Sequence, residues 1–191
     1  MKRVLAVAAL ALGATPAFAH LSPDQHGSFA AGFSHPVFGL DHILVMIAVG
    51  LWAVILGGRA IWALPVSFVG IMAVGFVFAV MGYALPFVEP IILLSVFALG
   101  LAVALSLRLP VSAAAGMVGL FALFHGHAHG GELGSAAALT FGAGFALSTA
   151  VLHGIGIAMA VAAGRALTGS KIIQGLGWAT AAGGLWAVAG G

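Results

Sequence analysis

The sequence predicts an all-α, polytopic membrane protein: six transmembrane helices after a cleaved signal peptide, with both termini outside the cytoplasm. Three observations carry this. The mean hydropathy is +1.24, well above that of a soluble domain. Only 5% of the 191 residues are charged, with four acids and six Lys/Arg. That is too little charge to solvate a folded surface. The apolar runs also recur at close to the roughly 20 residues that a bilayer-crossing helix needs.

The chain begins with a secretory pattern. Lys2 and Arg3 form a positive start, Val4 to Ala14 is a short apolar run, and Ala17-Phe18-Ala19 is an A-x-A cleavage site. Cleavage after Ala19 makes His20 the mature N-terminus. Residues 20–34 then form a short extracytoplasmic segment, and residues 35–191 the six-helix domain. The apolar runs cover about 36–57, 61–84, 90–107, 111–127, 136–164 and 172–190. They break at Gly57-Gly58-Arg59, at Leu85-Pro86 with Glu89-Pro90, at Arg108-Leu109-Pro110, at the His/Gly segment, and from Arg165 to Lys171. No long polar loop separates them, so one membrane domain is expected.

Charge sets the orientation. With the N-terminus outside, Arg59, Arg108, Arg165 and Lys171 all fall in cytoplasmic loops, as the positive-inside rule requires. Asp24, Asp41, Glu89 and Glu132 then fall at outer ends. So do His20, His26, His35, His42, His125, His127 and His129, and only His153 lies within a span. Acidic residues weigh little in topology, so their gathering on one side reads as a cation-collecting surface. The net charge of +2 does not signal nucleic-acid binding, because the basic residues stand singly. There is no cysteine, which excludes disulfides and thiolate metal sites.

Two runs carry small residues at every fourth position: Gly142, Ala146, Ala150, Gly154, Ala158 and Ala162 in the fifth, and Gly175, Ala179, Gly183 and Ala187 in the sixth. Such seams suit close helix packing, within a bundle or in a homo-oligomer.

Chemistry is concentrated in two motifs. The first is His35-Pro36-Val37-Phe38-Gly39-Leu40-Asp41-His42. Pro36 suits a first helical turn, with His35 as cap. Positions 35, 39 and 42 would then share one face, with Met46 a turn further on. Gly39 leaves room for an ion, and Asp41 can ligate or fix an imidazole tautomer. Met46 by itself reads as core. Glu89-Pro90 repeats the device of a ligand-type residue before a helix-starting proline.

The second motif is Phe124-His125-Gly126-His127-Ala128-His129-Gly130-Gly131-Glu132. On a helix His125 and His129 share a face and His127 points away. If the glycines unwind the segment, alternation brings His125 and His129 together instead. Imidazole and carboxylate are ligands for divalent transition metals, and in so apolar a chain they are costly to keep. His153 reads either as a buried histidine bonded across helices or as a deeper relay. His20 offers an amine and an imidazole, or belongs to a polar tail. The phosphate-binding P-loop, the G-x-S-x-G elbow and the HExxH zinc motif are all missing from the sequence.

The segments HPVFGLDHILVM and FHGHAHGGE, with Leu152-His153-Gly154, resemble the HupE/UreJ family of nickel permeases over essentially the whole chain. The resemblance implies a six-helix bacterial inner-membrane protein that admits nickel(II) for hydrogenase or urease maturation, and no enzyme. It carries functional roles to His35, Asp41, His42, Glu89, His125, His127, His129 and Glu132. No catalytic cofactor is implied; nickel(II) is cargo, and a cytoplasmic metallochaperone is a conceivable receiver. The expected path runs between the first, third, fourth and fifth spans. The residues alone leave open a zinc-dependent integral-membrane hydrolase, a haem-binding subunit, or a carrier of cobalt, zinc or copper.

Protonated imidazole has no lone pair for a metal. Uptake is therefore expected to fall as the medium is acidified through the ordinary imidazole range near about 6.5. Transport assayed across that range checks it.

Overall fold

A computed structural model describes residues 28–130, 138–164 and 169–189. The signal segment, His20 and Glu132 lie outside the described residues. Seven helices make up the described chain: α1 Phe29–Phe38, α2 Leu40–Leu56, α3 Ala60–Val80, α4 Val88–Ala104, α5 Val111–Gly130, α6 Ala138–Gly164 and α7 Gly169–Val188. No strand occurs among them. Helices α2 to α7 each overlap one of the six apolar runs, with ends that reach up to three residues beyond the run or stop short of it.

Three helices, α3, α5 and α6, are long and apolar enough to cross a membrane. A fourth crossing results if α1 and α2 count as one span broken by an 86° bend. Helix α4 is apolar but has only 17 residues.

The bend corrects the expectation that Pro36 begins a helix with His35 as its cap. The chain is already helical from Phe29, because the Ser28 hydroxyl accepts the Ala31 N–H at 3.0 Å and caps the new end. Pro36 sits in the last turn, and Gly39 is extended (φ −95°, ψ 114°) between the two helices. The proline removes one ladder bond near the end of α1, and glycine then takes a backbone angle that ends it. Residues 35, 39 and 42 consequently do not share one helix face.

Helix α3 packs most closely on α5, α4 on α7, and α6 on both α1 and α2. Glycines make these approaches possible. A Cβ on Gly126 would lie 1.8 Å from the Met72 carbonyl oxygen, and one on Gly130 would lie 2.3 Å from that of Phe76. The same holds between Gly50 and the His153 carbonyl, and between Gly177 and the backbone of Ala104, both at 2.3 Å.

The two expected small-residue seams are only partly used. Gly142 meets the Phe76 ring, but Gly154 and Gly175 have nothing within 4 Å. Gly183 of the expected seam meets Leu44, where a Cβ would lie 2.8 Å from the Leu44 Cδ1, while the close backbone contacts fall at Gly144 and Gly156 on α6 and at Gly177 and Gly184 on α7. On α6 the inward face is occupied by Phe141, Phe145, Thr149 and His153, all buried at four-residue spacing. The fourfold row of small residues is therefore turned away from the core. Polar ties between helices are few. The Ser67 hydroxyl donates to the Ala115 carbonyl at 2.8 Å, and the Trp52 indole N–H to that of Leu107 at 2.8 Å.

Two alanine substitutions separate the roles of the glycines. Gly126→Ala is expected to destabilise the fold by at least about 3 kcal/mol, since the methyl must displace helix backbone. Gly154→Ala should be neutral or stabilise by up to about 1 kcal/mol. Thermal unfolding of the detergent-solubilised protein, followed by circular dichroism, measures both.

Candidate metal site

The His/Gly segment is helical through Gly130, so His125 and His129 face the interior together and His127 points away. The glycine after each inward histidine, Gly126 or Gly130, abuts α3. The dipeptide His-Gly therefore seats α5 on α3 and aims an imidazole inward within two residues.

At the centre, His129 Nε2 lies 2.5 Å from His42 Nε2 on α2. On the other side of that ring, His42 Nδ1 lies 2.9 Å from Asp41 Oδ1. The carboxylate can only accept, so it fixes the proton on His42 Nδ1. The Nε2 of His42 then carries a lone pair, and His129 Nε2–H donates to it. A carboxylate holding an imidazole with its far nitrogen free is the usual support of a metal-binding histidine. Two imidazole nitrogens bound to one ion at about 2.1 Å would sit roughly 3 Å apart. To hold a cation between them, the pair would need to open by only a fraction of an ångström, with the shared proton moved to the unpartnered His129 Nδ1.

His35 reaches the same place by way of the bend. Its ring packs edge-on against His129, centroids 4.5 Å apart. Aromatic rings wall this end: Phe145 lies 4.7 Å from His129 and Phe141 lies 5.5 Å from His35. His42 and His125 meet at 5.0 Å. The Ser95 hydroxyl donates to the Ile92 carbonyl at 2.6 Å and so accepts from His125 Nε2 at 2.9 Å. The proton of His125 is thus on Nε2, and its buried Nδ1 keeps a lone pair without a partner among the described residues.

Asp41 also faces outward. A cleft of roughly 130 Å³ opens between α2, α4 and α7 beside it, lined by Leu44, Val96, Gly183 and Trp186. Asp41 is the one charged residue among those lining it.

Other expected residues stand apart. Glu89 is exposed in the first turn of α4 and outside the imidazole cluster. His127 donates through Nε2 to the Tyr83 carbonyl at 2.7 Å, tying the loop after α3 to α5. Met46 is fully buried core. His153 lies deeper, 5.0 Å from the Phe68 ring, and neither of its nitrogens has a partner among the described residues. A buried N–H left without an acceptor costs about 1–3 kcal/mol. Among the described residues no group of three or more His, Asp or Glu forms a finished metal cage. Ser95, Phe68, Phe141 and Phe145 were not singled out from the sequence. Ser95 alone left a trace there, as a polar residue in the apolar run that becomes α4.

An all-helical membrane bundle with a carboxylate-backed pair of buried imidazoles defines a class: integral-membrane proteins equipped to handle a divalent cation. The chain belongs to the HupE/UreJ family, whose sequence model, described as "HupE / UreJ protein", matches residues 8–187. It is 49% identical over 156 residues to Protein HupE of Rhizobium leguminosarum bv. viciae, covering 81% of this chain and 80% of that one. No solved structure matches the chain significantly. The family is one of membrane permeases for metal ions, and this protein is not an enzyme.

Gly39 allows the Asp41–His42 contact. A Cβ there would lie 2.7 Å from His42 Nδ1 and 3.0 Å from Asp41 Oδ1. Gly39→Ala and Asp41→Asn should each weaken divalent-cation binding by about 10–100-fold, the usual effect of losing a ligand's support. Equilibrium dialysis of the purified protein measures it, and unchanged affinity in both variants contradicts the role given to Asp41.

Proposed function

We propose that this protein is a secondary permease that carries nickel(II) across the bacterial inner membrane to supply hydrogenase or urease maturation. One observation carries the reading: the His42–His129 Nε2 pair, joined across α2 and α5 and backed by Asp41. It is a nitrogen/oxygen donor set without thiolate. Such a set binds a borderline divalent ion but also releases it, as transport demands.

In this reading the chain crosses the membrane six times with its mature N-terminus outside, and Arg59, Arg108, Arg165 and Lys171 lie on the cytoplasmic side. The hydrated ion gathers at the outer His/Asp/Glu surface, to which Glu89, His127, Glu132 and His20 contribute. It sheds water to His42 and His129, with His35 and His125 adjacent. The family membership and the relative named HupE support the hydrogenase or urease setting.

Uptake of radioactive nickel into proteoliposomes, with competing divalent metals and an imposed pH gradient, tests the reading. The double variant His42→Ala, His129→Ala should lower the rate by at least about 100-fold, as loss of two ligands predicts. Undiminished uptake by that variant refutes the site. Because the sequence has no cysteine, single cysteines report orientation cleanly. One placed at Tyr83 should react with an impermeant maleimide applied outside, and one at Arg108 only after permeabilisation.

A further inference from the structure

The row of rings does not stop at the outer cluster. His35, His129, His42 and His125 follow one another with centroids 4.5–5.0 Å apart. Phe68 then stands 5.6 Å from His125 and 5.0 Å from His153. Along α6, Phe145 touches the cluster through His129, and His153 lies two turns further on, about 12 Å along the axis. His153 is 1% exposed, near the middle of a helix of 27 residues.

Its state differs from that of the other buried imidazoles. His125 and His129 each spend their N–H on a partner, so what remains on each is an acceptor. His153 has neither nitrogen engaged. Whichever tautomer it adopts, a donor and an acceptor are both unused in the apolar interior. Leucine would fill the same space without that penalty. The ring is nevertheless firmly aimed. The α6 backbone at this level is pressed on α2, where a Cβ on Gly50 would lie 2.3 Å from the His153 carbonyl and one on Gly156 would lie 2.3 Å from that of Ile47. One turn back toward the cluster, the Thr149 hydroxyl donates to the Met72 sulfur at 3.6 Å. Both residues are buried, so hydroxyl and thioether atoms occur at the same α3–α6 junction.

The geometry points to His153 as a second holding site for the transported divalent cation, near the middle of α6 and linked to His125 of the outer cluster through the Phe68 ring. This rests on the permease reading above and adds an inner stage to it. A lone imidazole, helped by neutral oxygen or sulfur, holds an ion weakly. An intermediate stage should do so, because a tight inner site would stop flux. The outer pair selects the ion, and the inner ring receives it as it leaves the carboxylate-backed pair.

The test compares wild type, His153→Leu, His153→Gln and His42→Ala as full chains in lipid. Nickel bound at equilibrium in nanodiscs and nickel uptake into proteoliposomes are both read. Wild type should bind one more nickel equivalent at saturation than either His153 variant, while the tighter outer affinity stays unchanged in those variants. Uptake by both His153 variants should fall by about tenfold or more. The Leu variant, which fills the site with hydrocarbon, should be at least as thermally stable as wild type. Equal stoichiometry and equal uptake in wild type and both His153 variants overturn the proposal. A thermally destabilised Leu variant with unchanged nickel binding also overturns it, because the ring would then be structural. If wild type carries no nickel but still loses an equivalent on His153 substitution, the permease reading fails and the inner site stands.

Discussion

Two imidazoles 87 positions apart in sequence meet through their Nε2 atoms between α2 and α5, and most of the site follows from that contact. In water such a pair gains little. In an apolar bundle each ring must find a partner or carry an unsatisfied polar group. The shared hydrogen bond gives each ring a partner in the absence of an ion, and leaves His129 Nδ1 as an unused acceptor among the described residues. For one cation to bind both Nε2 atoms, the shared proton would have to move to the unpartnered Nδ1 of His129. Asp41 holds the other proton of His42 in place on Nδ1. Without this pairing, the buried histidines of α2 and α5 would oppose folding.

The contact in turn requires backbone to meet backbone. Helix α5 carries its histidines to the right depth because Gly126 and Gly130 let it lie against α3, where no larger residue fits. Helix α1 brings His35 in because Gly32 and Gly144 let it lie against α6, with carbonyl oxygens of Phe141 and Phe29 where a Cβ would be. The glycines are therefore part of the site as much as of the fold. They set interaxial distances, and those distances decide which rings touch. In a bilayer, where lipid tails compete equally for apolar side chains, such close approach is a main source of helix association.

Much of this was legible beforehand. Hydropathy located helices α2 to α7, and the spacing of His125 and His129 put them on one face with His127 opposite. The pairing of Asp41 with His42 was also readable as tautomer control. What the sequence hid was non-local. Nothing in it says that His42 meets His129 through Nε2, that Ser95 holds His125, or that Phe68 stands between His125 and His153. The break at Gly39 was hidden for a local reason. Pro36 followed by a long apolar run looks like a helix start, and only the Ser28 cap reveals that the helix begins earlier. The small-residue seams were only half legible, because a fourfold pattern marks a face without saying whether it turns in or out. On α6 the larger residues at the same spacing claimed the interior. Glu89 shares its Glu-Pro pattern with a helix start but lies exposed, since none of the described residues packs the first turn of α4 over it.

Central to the proposed transport is where the divalent ion first loses its water. A structure of the nickel-loaded protein in lipid, from cryo-electron microscopy or crystallography, addresses that most directly. It should show the ion bound to both His42 Nε2 and His129 Nε2, with Asp41 still on His42 Nδ1 and the two nitrogens moved apart to roughly 3 Å. An ion held elsewhere, with the two imidazoles still hydrogen-bonded to each other, would contradict it.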